Sequence, residues 1–143
     1  MKRLIFAVAL CSLVSVASFA GEHDHGFSLR SFSGSYSLAF NGDIAGTGVV
    51  VADGRGNSAG TMTVNLGTAV CQGTLDGPYT VNSDGTGTYN PLFTITQTIA
   101  GTCPVQPIQF NTTLSITSPE HMRASNASVG IRAVGQIDLQ DPE

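Results

Sequence analysis

The sequence predicts an all-β fold, a single antiparallel up-and-down β-barrel of about eight strands, with a β-sandwich as the alternative. Two Asp-Gly-x-Gly turns, at residues 53–56 and 84–87, join stretches rich in Thr, Gly and Val. Asp-Gly between alternating apolar residues is a strong hairpin signal, because glycine accepts the positive φ of a tight turn. Apolar and polar residues alternate with period two along most of the chain. No window carries a helical apolar stripe, and the 17 glycines disfavour helices.

The first twenty residues predict an export signal. Lys2 and Arg3 precede an apolar run over residues 4–16, which is too short to span a bilayer. Ser18 and Ala20 provide the small residues that a signal peptidase requires, so cleavage is expected after Ala20. The mature chain is therefore expected to be secreted or periplasmic and to contain no further membrane span.

The chain that follows the predicted cleavage site is acidic and carries no lysine. Its basic side chains are four arginines, against ten acidic residues. A surface that follows a phosphate backbone needs clustered cations, so nucleic-acid binding is not expected. Its length suits one domain with one core. We expect residues 21–33 to form a flexible N-terminal segment, residues 34–140 the barrel and residues 141–143 a tail.

Alternation places the strands of this barrel. Pro91 cannot donate to a sheet ladder, so a bulge or an exposed edge is expected there. Tight hairpins between successive strands favour pairing of sequence neighbours, and closing the sheet into a barrel removes its exposed edges. The predicted strands cover residues 36–40, 44–52, 61–64, 68–75, 79–81, 86–98, 108–116, 122–127 and 129–139.

Cysteine usage predicts one disulfide. Cys11 lies within the predicted export signal, which leaves Cys71 and Cys103 in the mature chain. Two distant cysteines in an exported domain form a structural bridge most simply, whereas a redox pair favours close Cys-x-x-Cys spacing.

Inward-facing aromatic residues are the candidate ligand-binding residues. An eight-stranded barrel is filled by its own side chains or holds one small ligand, and the residue pattern does not choose between these. If the interior is hollow, five aromatic side chains would line it; if it is filled, the same side chains form the core. They are Tyr36, Phe40, Tyr89, Phe93 and Phe110.

The N-terminus after cleavage predicts a site for Cu²⁺ or Ni²⁺. Gly21 would supply a free amine, Glu22 and the next peptide would supply amide nitrogens, and His23 would stand third in the chain. This set suits the square-planar geometry that both ions favour, and His25 adds a further donor. Binding here is expected to be adventitious, and no other cofactor is expected.

Three further motifs have simpler structural interpretations. Residues 56–60 match Gly-x-Ser-x-Gly around Ser58, but a hairpin is not the strand-to-helix turn of serine hydrolases. Turn aspartates at positions 43, 53 and 84 offer oxygen ligands for Ca²⁺, although backbone hydrogen bonds explain them equally well. Glu120 and His121 are interpreted as solvated turn residues.

The turn motifs, including residues 79–87 (Tyr-Thr-Val-Asn-Ser-Asp-Gly-Thr-Gly), resemble those of small exported bacterial β-barrel proteins of unassigned function. More distantly, the hairpin series resembles the calycin group of lipocalin-like and avidin-like barrels, although the chain lacks tryptophan and the lipocalin Gly-x-Trp. The resemblance implies a secreted, non-catalytic binding module for a small molecule or an extracytoplasmic protein, such as a hydrolase. The alternatives are a cell-surface assembly protein and a cofactor-free isomerase or cyclase.

Overall fold

The computed structural model describes residues 26–126 and 131–140. A short 3₁₀ turn at Leu29–Ser31 precedes ten strands. The strands are β1 (Ser33–Gly42), β2 (Ala45–Asp53), β3 (Asn57–Asn65), β4 (Val70–Val81), β5 (Thr86–Tyr89), β6 (Leu92–Ala100), β7 (Ile108–Gln109), β8 (Thr112–Ser118), β9 (His121–Asn126) and β10 (Ala133–Leu139).

The strands form one closed antiparallel barrel with eight positions. Neighbours in sequence pair from β1 to β4, β8 pairs with β9, and β9 pairs with β10. The first and last strands pair over seven residues and close the sheet. β5 and β6 share one position because they pair with successive parts of β4, and β7 and β8 share the next. The up-and-down barrel is confirmed.

A break at Asn90 and Pro91, opposite Pro78 of β4, separates β5 from β6, where a single strand over residues 86–98 was predicted. β4 pairs with β6 as far as Asp76 and with β5 from Tyr79 onward. Pro78 therefore lies where β4 changes partner, and it interrupts no ladder. This explains why residues 70–81 form one strand rather than the two that were predicted. The expected disturbance at Pro91 is confirmed.

The two ends of the barrel, called lower and upper, differ in the connections that they carry. The lower end carries the β2–β3, β4–β5 and β8–β9 turns, and the upper end carries the β1–β2, β3–β4 and β6–β7 connections together with the end of β9 and the start of β10. The breaks between β5 and β6 and between β7 and β8 lie within the barrel wall. At the lower end, Asp53 Oδ1 accepts hydrogen bonds from the amides of Arg55 (2.7 Å) and Asn57 (2.9 Å). Asp84 Oδ1 accepts one from the Thr86 amide (2.9 Å). Gly54 and Gly85 adopt φ values of 71° and 84°, as the predicted turns require.

The described part of the segment predicted to be flexible is folded against the lower end. Phe32 is fully buried, and its carbonyl accepts a hydrogen bond of 2.7 Å from the Tyr79 hydroxyl. The Phe27 amide donates to the Ser83 carbonyl over 3.1 Å. In the structure, burial of one phenylalanine ties residues 26–32 of the segment predicted to be flexible to the core. We call residues 26–32 the N-terminal strap.

A disulfide joins Cys71 of β4 to Cys103, with the two Cα atoms 5.9 Å apart. Cys71 points into the barrel and is fully buried. Cys103 lies in the connection between β6 and β7, so the bridge fastens this connection to the upper end. The predicted pairing is confirmed.

The core follows the predicted alternation. In β2, for example, Val50 is fully buried, whereas Val51 is 55% exposed. The inward side chains of all eight barrel positions form one cluster. Within the described residues, no helix is long and apolar enough to cross a membrane.

Candidate functional site

The five aromatic residues predicted to line the interior all point into the barrel, but the structure divides them into two groups. Phe40, Tyr89 and Phe110 border a cavity in the upper half of the barrel. Tyr36 and Phe93 do not line this cavity and are almost completely buried in the core. The hollow and filled alternatives therefore each describe a part of the interior.

The cavity has a volume of about 70 Å³ and is partly open to solvent. Its position follows from the strand ends, since Phe40 lies near the upper end of β1 and Asn126 at the upper end of β9. No charged side chain belongs to its lining, which is Leu38, Ala39, Phe40, Ile44, Met62, Leu75, Tyr89, Pro91, Phe110, Thr112, Ala124, Asn126, Ala133, Gly135, Gln136 and Ile137.

The size of the cavity limits what it can hold. Pockets for drug-sized ligands have volumes of about 300–1,000 Å³, and an apolar cavity of about 150 Å³ binds benzene. A cavity of about 70 Å³ has room for a small apolar group but not for a lipid or a pigment. The aromatic rings explain the loss of space, because Phe110 packs with its centroid 6.2 Å from Phe40 and 6.2 Å from Phe93.

An aromatic cluster fills the lower half of the barrel. The Phe32 ring lies 4.9 Å from Tyr36, 4.7 Å from Tyr79 and 6.1 Å from Tyr89, with edge-on or tilted geometry. Such pairs contribute beyond the area that they bury. The Tyr36 hydroxyl donates to the Pro119 carbonyl over 3.2 Å, and burial raises the pKa of Tyr36 and Tyr79. These tyrosines hold the lower end together.

Tyr89 lies between the aromatic cluster and the cavity. It is 4% exposed, and its hydroxyl has no hydrogen-bond partner among the described residues. Burial raises the pKa of Tyr89 to about 12; the nearby Ser58 hydroxyl offsets this rise in part, but its hydrogen bond in the structure is to the Gly77 carbonyl and not to the phenol. The phenol is therefore neutral at physiological pH and would be a poor general base there.

Ser58 is a structural residue of β3. It is 4% exposed, and its hydroxyl donates to the Gly77 carbonyl on the paired strand over 3.2 Å. The Gly-x-Ser-x-Gly motif thus lies at the start of β3, which pairs antiparallel with β4. It forms no strand-to-helix turn that would expose the serine as a nucleophile.

His121 has a partner that its local sequence motif does not predict. Its Nδ1 lies 2.9 Å from Asp138 Oδ1 on the exposed outer surface, and Gln136 donates to the other carboxylate oxygen over 2.9 Å. The hydrogen bond from His121 is the main reason that the pKa of Asp138 is lowered. The pair arises from the register of β9 and β10, which sets His121 opposite Asp138. Register across strands could not be read from the local motif Glu120-His121.

Metal binding receives no support from the described residues, which contain no group of three or more His, Cys, Asp or Glu side chains able to hold an ion. The predicted Cu²⁺ or Ni²⁺ ligands Gly21, Glu22, His23 and His25 lie outside the described residues. That site stays a prediction. The turn aspartates use carboxylate oxygens for backbone amides, and Asp43 Oδ2 accepts from the Arg132 amide over 2.8 Å.

Comparison with known proteins identifies a fold and no family. No known protein family matches the chain, and no curated protein matches it. Among solved structures, the chain is similar to a redesigned beta barrel with a TM-score of 0.51 and 10% sequence identity. The match covers 80% of this chain and 96% of the redesigned barrel. At this identity the likeness shows the barrel fold alone.

Proposed function

We propose that this protein is an exported, non-catalytic binding module whose upper cavity holds one small apolar group. That group would belong to a small ligand or to a side chain of an extracytoplasmic protein. The observation that carries the proposal is the uncharged, partly open cavity of about 70 Å³ in an otherwise filled barrel. Its chemistry is that of a binding site, since such sites are mostly apolar concavities with a few polar groups, although its volume limits the guest to a small group.

The lining favours an apolar guest over a charged one. Apolar side chains from opposite walls, such as Leu38 and Leu75, face the space, and the polar side chains among the lining are uncharged. Desolvation of a buried charge without a partner costs roughly several kcal/mol. Because no charged side chain lines the cavity, nothing there would offset this cost for an ionic guest. Transfer of a small apolar group from water would be favourable at about 25 cal/mol per Å² of buried surface.

Binding is favoured over an isomerase or cyclase activity by the state of the nearby hydroxyls. Ser58 is engaged with a backbone carbonyl, and Tyr89 is held neutral by burial. Neither provides the activated base that such chemistry would require beside the cavity.

Export is supported by the disulfide between Cys71 and Cys103, since such bridges persist in oxidising compartments. We further propose that the leader is removed after Ala20 and that the chain is a compact, largely filled member of the lipocalin-like and avidin-like calycin barrels. The neighbour-to-neighbour hairpin order supports that relation.

Methionine methyl NMR under xenon pressure tests the cavity directly. Met62 lines the cavity, whereas Met122 is buried elsewhere in the barrel. Xenon binds dry apolar cavities, so we expect the Met62 methyl signal to shift on titration and the Met122 signal to remain in place. Equal shifts, or none, would contradict the proposal.

A matched pair of variants on β9 controls this experiment. Ala124→Leu places three further carbons at the cavity wall and should abolish the response of Met62. Ser125→Leu adds a leucine at the next residue, which is exposed on the outside, and should leave the response unchanged. Small aliphatic alcohols can then be titrated by the same signals to define which group the cavity accepts.

A further inference from the structure

The upper part of β6 has one edge without a strand partner within the described residues. On one side, β6 pairs with β4 from Asp76↔Leu92 to Val70↔Ala100. On the other side, β7 pairs with Leu92 and Phe93 alone. The backbone of residues 94–100 therefore presents an open edge at the upper end of the barrel, although a closed sheet was predicted to have none.

This open edge carries no charged residue and no proline, and two bulges are the protective features of an edge strand that it does have. Residues 94–100 read Thr-Ile-Thr-Gln-Thr-Ile-Ala and contain no charge and no proline. Ile99 is 52% exposed, and Leu92 at the start of the strand is 39% exposed. Natural edges usually carry lysine, proline or an inward-pointing charge to prevent pairing with another chain.

The outer face beside the open edge is uncharged as well. Along the ladder, Gln97 lies beside Gln72 of β4 and then Thr63 of β3. The next row places Thr94 beside Thr74 and Thr61. The chain as a whole carries a net charge of −4, so two copies repel each other in general. At this face they can approach without that repulsion.

The order of residues along the edge is symmetric about Gln97. Thr96 and Thr98 flank it, and Ile95 and Ile99 follow on either side. We propose that β6 pairs antiparallel with β6 of a second copy of this chain about a two-fold axis at Gln97. Such an interface is isologous, and Gln97 of one copy faces Gln97 of the other. Thr96 and Ile99 have no partner in the β4–β6 register, so they are bulged residues, and the proposed ladder is centred on Gln97 and not on regular pairs along the whole edge.

Two irregularities of β6 limit the extent of this pairing. The β4–β6 register shifts between Val70 and Cys71 and between Gln72 and Gly73. Bulges of this kind bend a strand and increase its twist. The intermolecular ladder is therefore short, and the two-fold axis uses the open edge of both copies, so the product is a reversible dimer and not a growing polymer.

Charge substitution at Gln97 tests the pairing. In the dimer two copies of residue 97 face each other, so Gln97→Lys and Gln97→Glu should each give monomers in sedimentation velocity at concentrations where the unchanged mature protein dimerises. An equimolar mixture of the two variants should restore the dimer, because opposite charges then meet. Continued monomers in the mixture would overturn the proposal.

Gln72→Lys is the control, since it places the same charge in the same outer row one strand away. In the dimer the two lysines would be three strand spacings apart, roughly 14 Å, which exceeds the Debye length of about 8 Å at physiological ionic strength. We expect this variant to dimerise normally. A purely monomeric unchanged protein, or dimerisation that survives both single Gln97 charges, would show that the edge is not used.

Cross-linking tests the register. Paired Cα atoms in an antiparallel ladder lie about 4.5–5.5 Å apart, within disulfide range, so Gln97→Cys should give a covalent dimer on mild oxidation. In the proposed register Thr94 faces Ala100, which separates the two copies of residue 94 by about 20 Å. Thr94→Cys should therefore not cross-link. Equal cross-linking of both variants would contradict the proposed axis.

Discussion

The two ends of this barrel are closed in different ways. At the lower end the N-terminal strap inserts Phe32 among Tyr36, Tyr79 and Tyr89, and backbone carbonyls accept hydrogen bonds from two of these phenols. At the upper end a disulfide fastens one connection, a cavity remains in the upper half of the barrel, and one strand edge is open. Side-chain packing thus stabilises the lower end. At the upper end a disulfide replaces part of that packing, so space for a bound group remains in the barrel.

The largest expected effect comes from breaking the lower end. Phe32→Ala removes a fully buried ring from the centre of the aromatic cluster and should lower the free energy of unfolding by about 3–5 kcal/mol. Phe40→Ala, at the wall of the upper cavity, removes a half-buried ring that already borders empty space and should cost roughly 1–2 kcal/mol. Urea unfolding monitored by circular dichroism measures both, and equal losses would contradict the contrast.

Loss of the disulfide should come next in size. Its cysteines are 32 residues apart, for which loop closure predicts a loss of about 3–4 kcal/mol. In the variant with both Cys71→Ala and Cys103→Ala, amide exchange should accelerate first at the upper end, in residues 94–109. Uniform acceleration at both ends would show that the bridge acts on global stability alone.

Two Tyr→Phe changes compare hydroxyls on either side of the Phe32 ring. Tyr79→Phe removes the 2.7 Å hydrogen bond to the Phe32 carbonyl and should cost about 1 kcal/mol. Tyr89→Phe removes a buried hydroxyl with no partner in the described part of the chain and should be neutral or stabilising by about 1 kcal/mol. Thermal or urea unfolding separates the two, and a costly Tyr89→Phe would reveal a partner for that phenol.

Acid should loosen the lower end by a smaller amount. Backbone amides of Asn57 and Arg55 lower the pKa of Asp53 below its usual value of 3.8, and the Thr86 hydroxyl and amide lower the pKa of Asp84. Because these pKa values are lower in the folded state, their stabilisation is complete above about pH 4 and is lost as the pH falls through the folded values.

We therefore expect amide exchange at Arg55, Asn57 and Thr86 to accelerate below pH 4 relative to other hairpin amides, after correction for intrinsic rates. Asp53→Asn together with Asp84→Asn should remove this acceleration. Added salt provides the control, because it screens general charge repulsion but leaves these short hydrogen bonds in place. Acceleration that disappears in salt would assign the effect to repulsion instead.

Local signals explain why much of the fold could be predicted from the sequence. The Asp-Gly turns fix their own hairpins, alternation fixes which side chains point inward, and two remaining cysteines have a single pairing. The N-terminal strap could not be predicted in this way. It contributes one phenylalanine at position 32 from a polar stretch without periodicity, and the place where that ring packs exists after the two distant strands β4 and β5 have assembled with β1.

The candidate site depends on the combined volume of many packed side chains, and the open edge depends on which residues of neighbouring strands are paired. No local sequence motif contains either kind of information. The cavity is the space left when side chains from most barrel positions are packed together. Which aromatic residues line it, namely Phe40, Tyr89 and Phe110 but not Tyr36 and Phe93, therefore depends on the whole three-dimensional packing. The open edge follows from the shortness of β7, which pairs with Leu92 and Phe93 alone. Pro91 marked the break between β5 and β6 in the sequence, but not which partner each half would take.

Pairing of the first strand with the last has a consequence for how the chain acquires its structure in time. β1 completes its ladder with residues 133–139, so a polypeptide that is synthesised from its N-terminus cannot close the ring until these residues have been made. Contacts of such wide sequence separation slow folding to milliseconds or seconds, roughly. During that interval one edge of β1 has no strand partner, and a chaperone that binds nascent chains could bind this edge until β10 pairs with it.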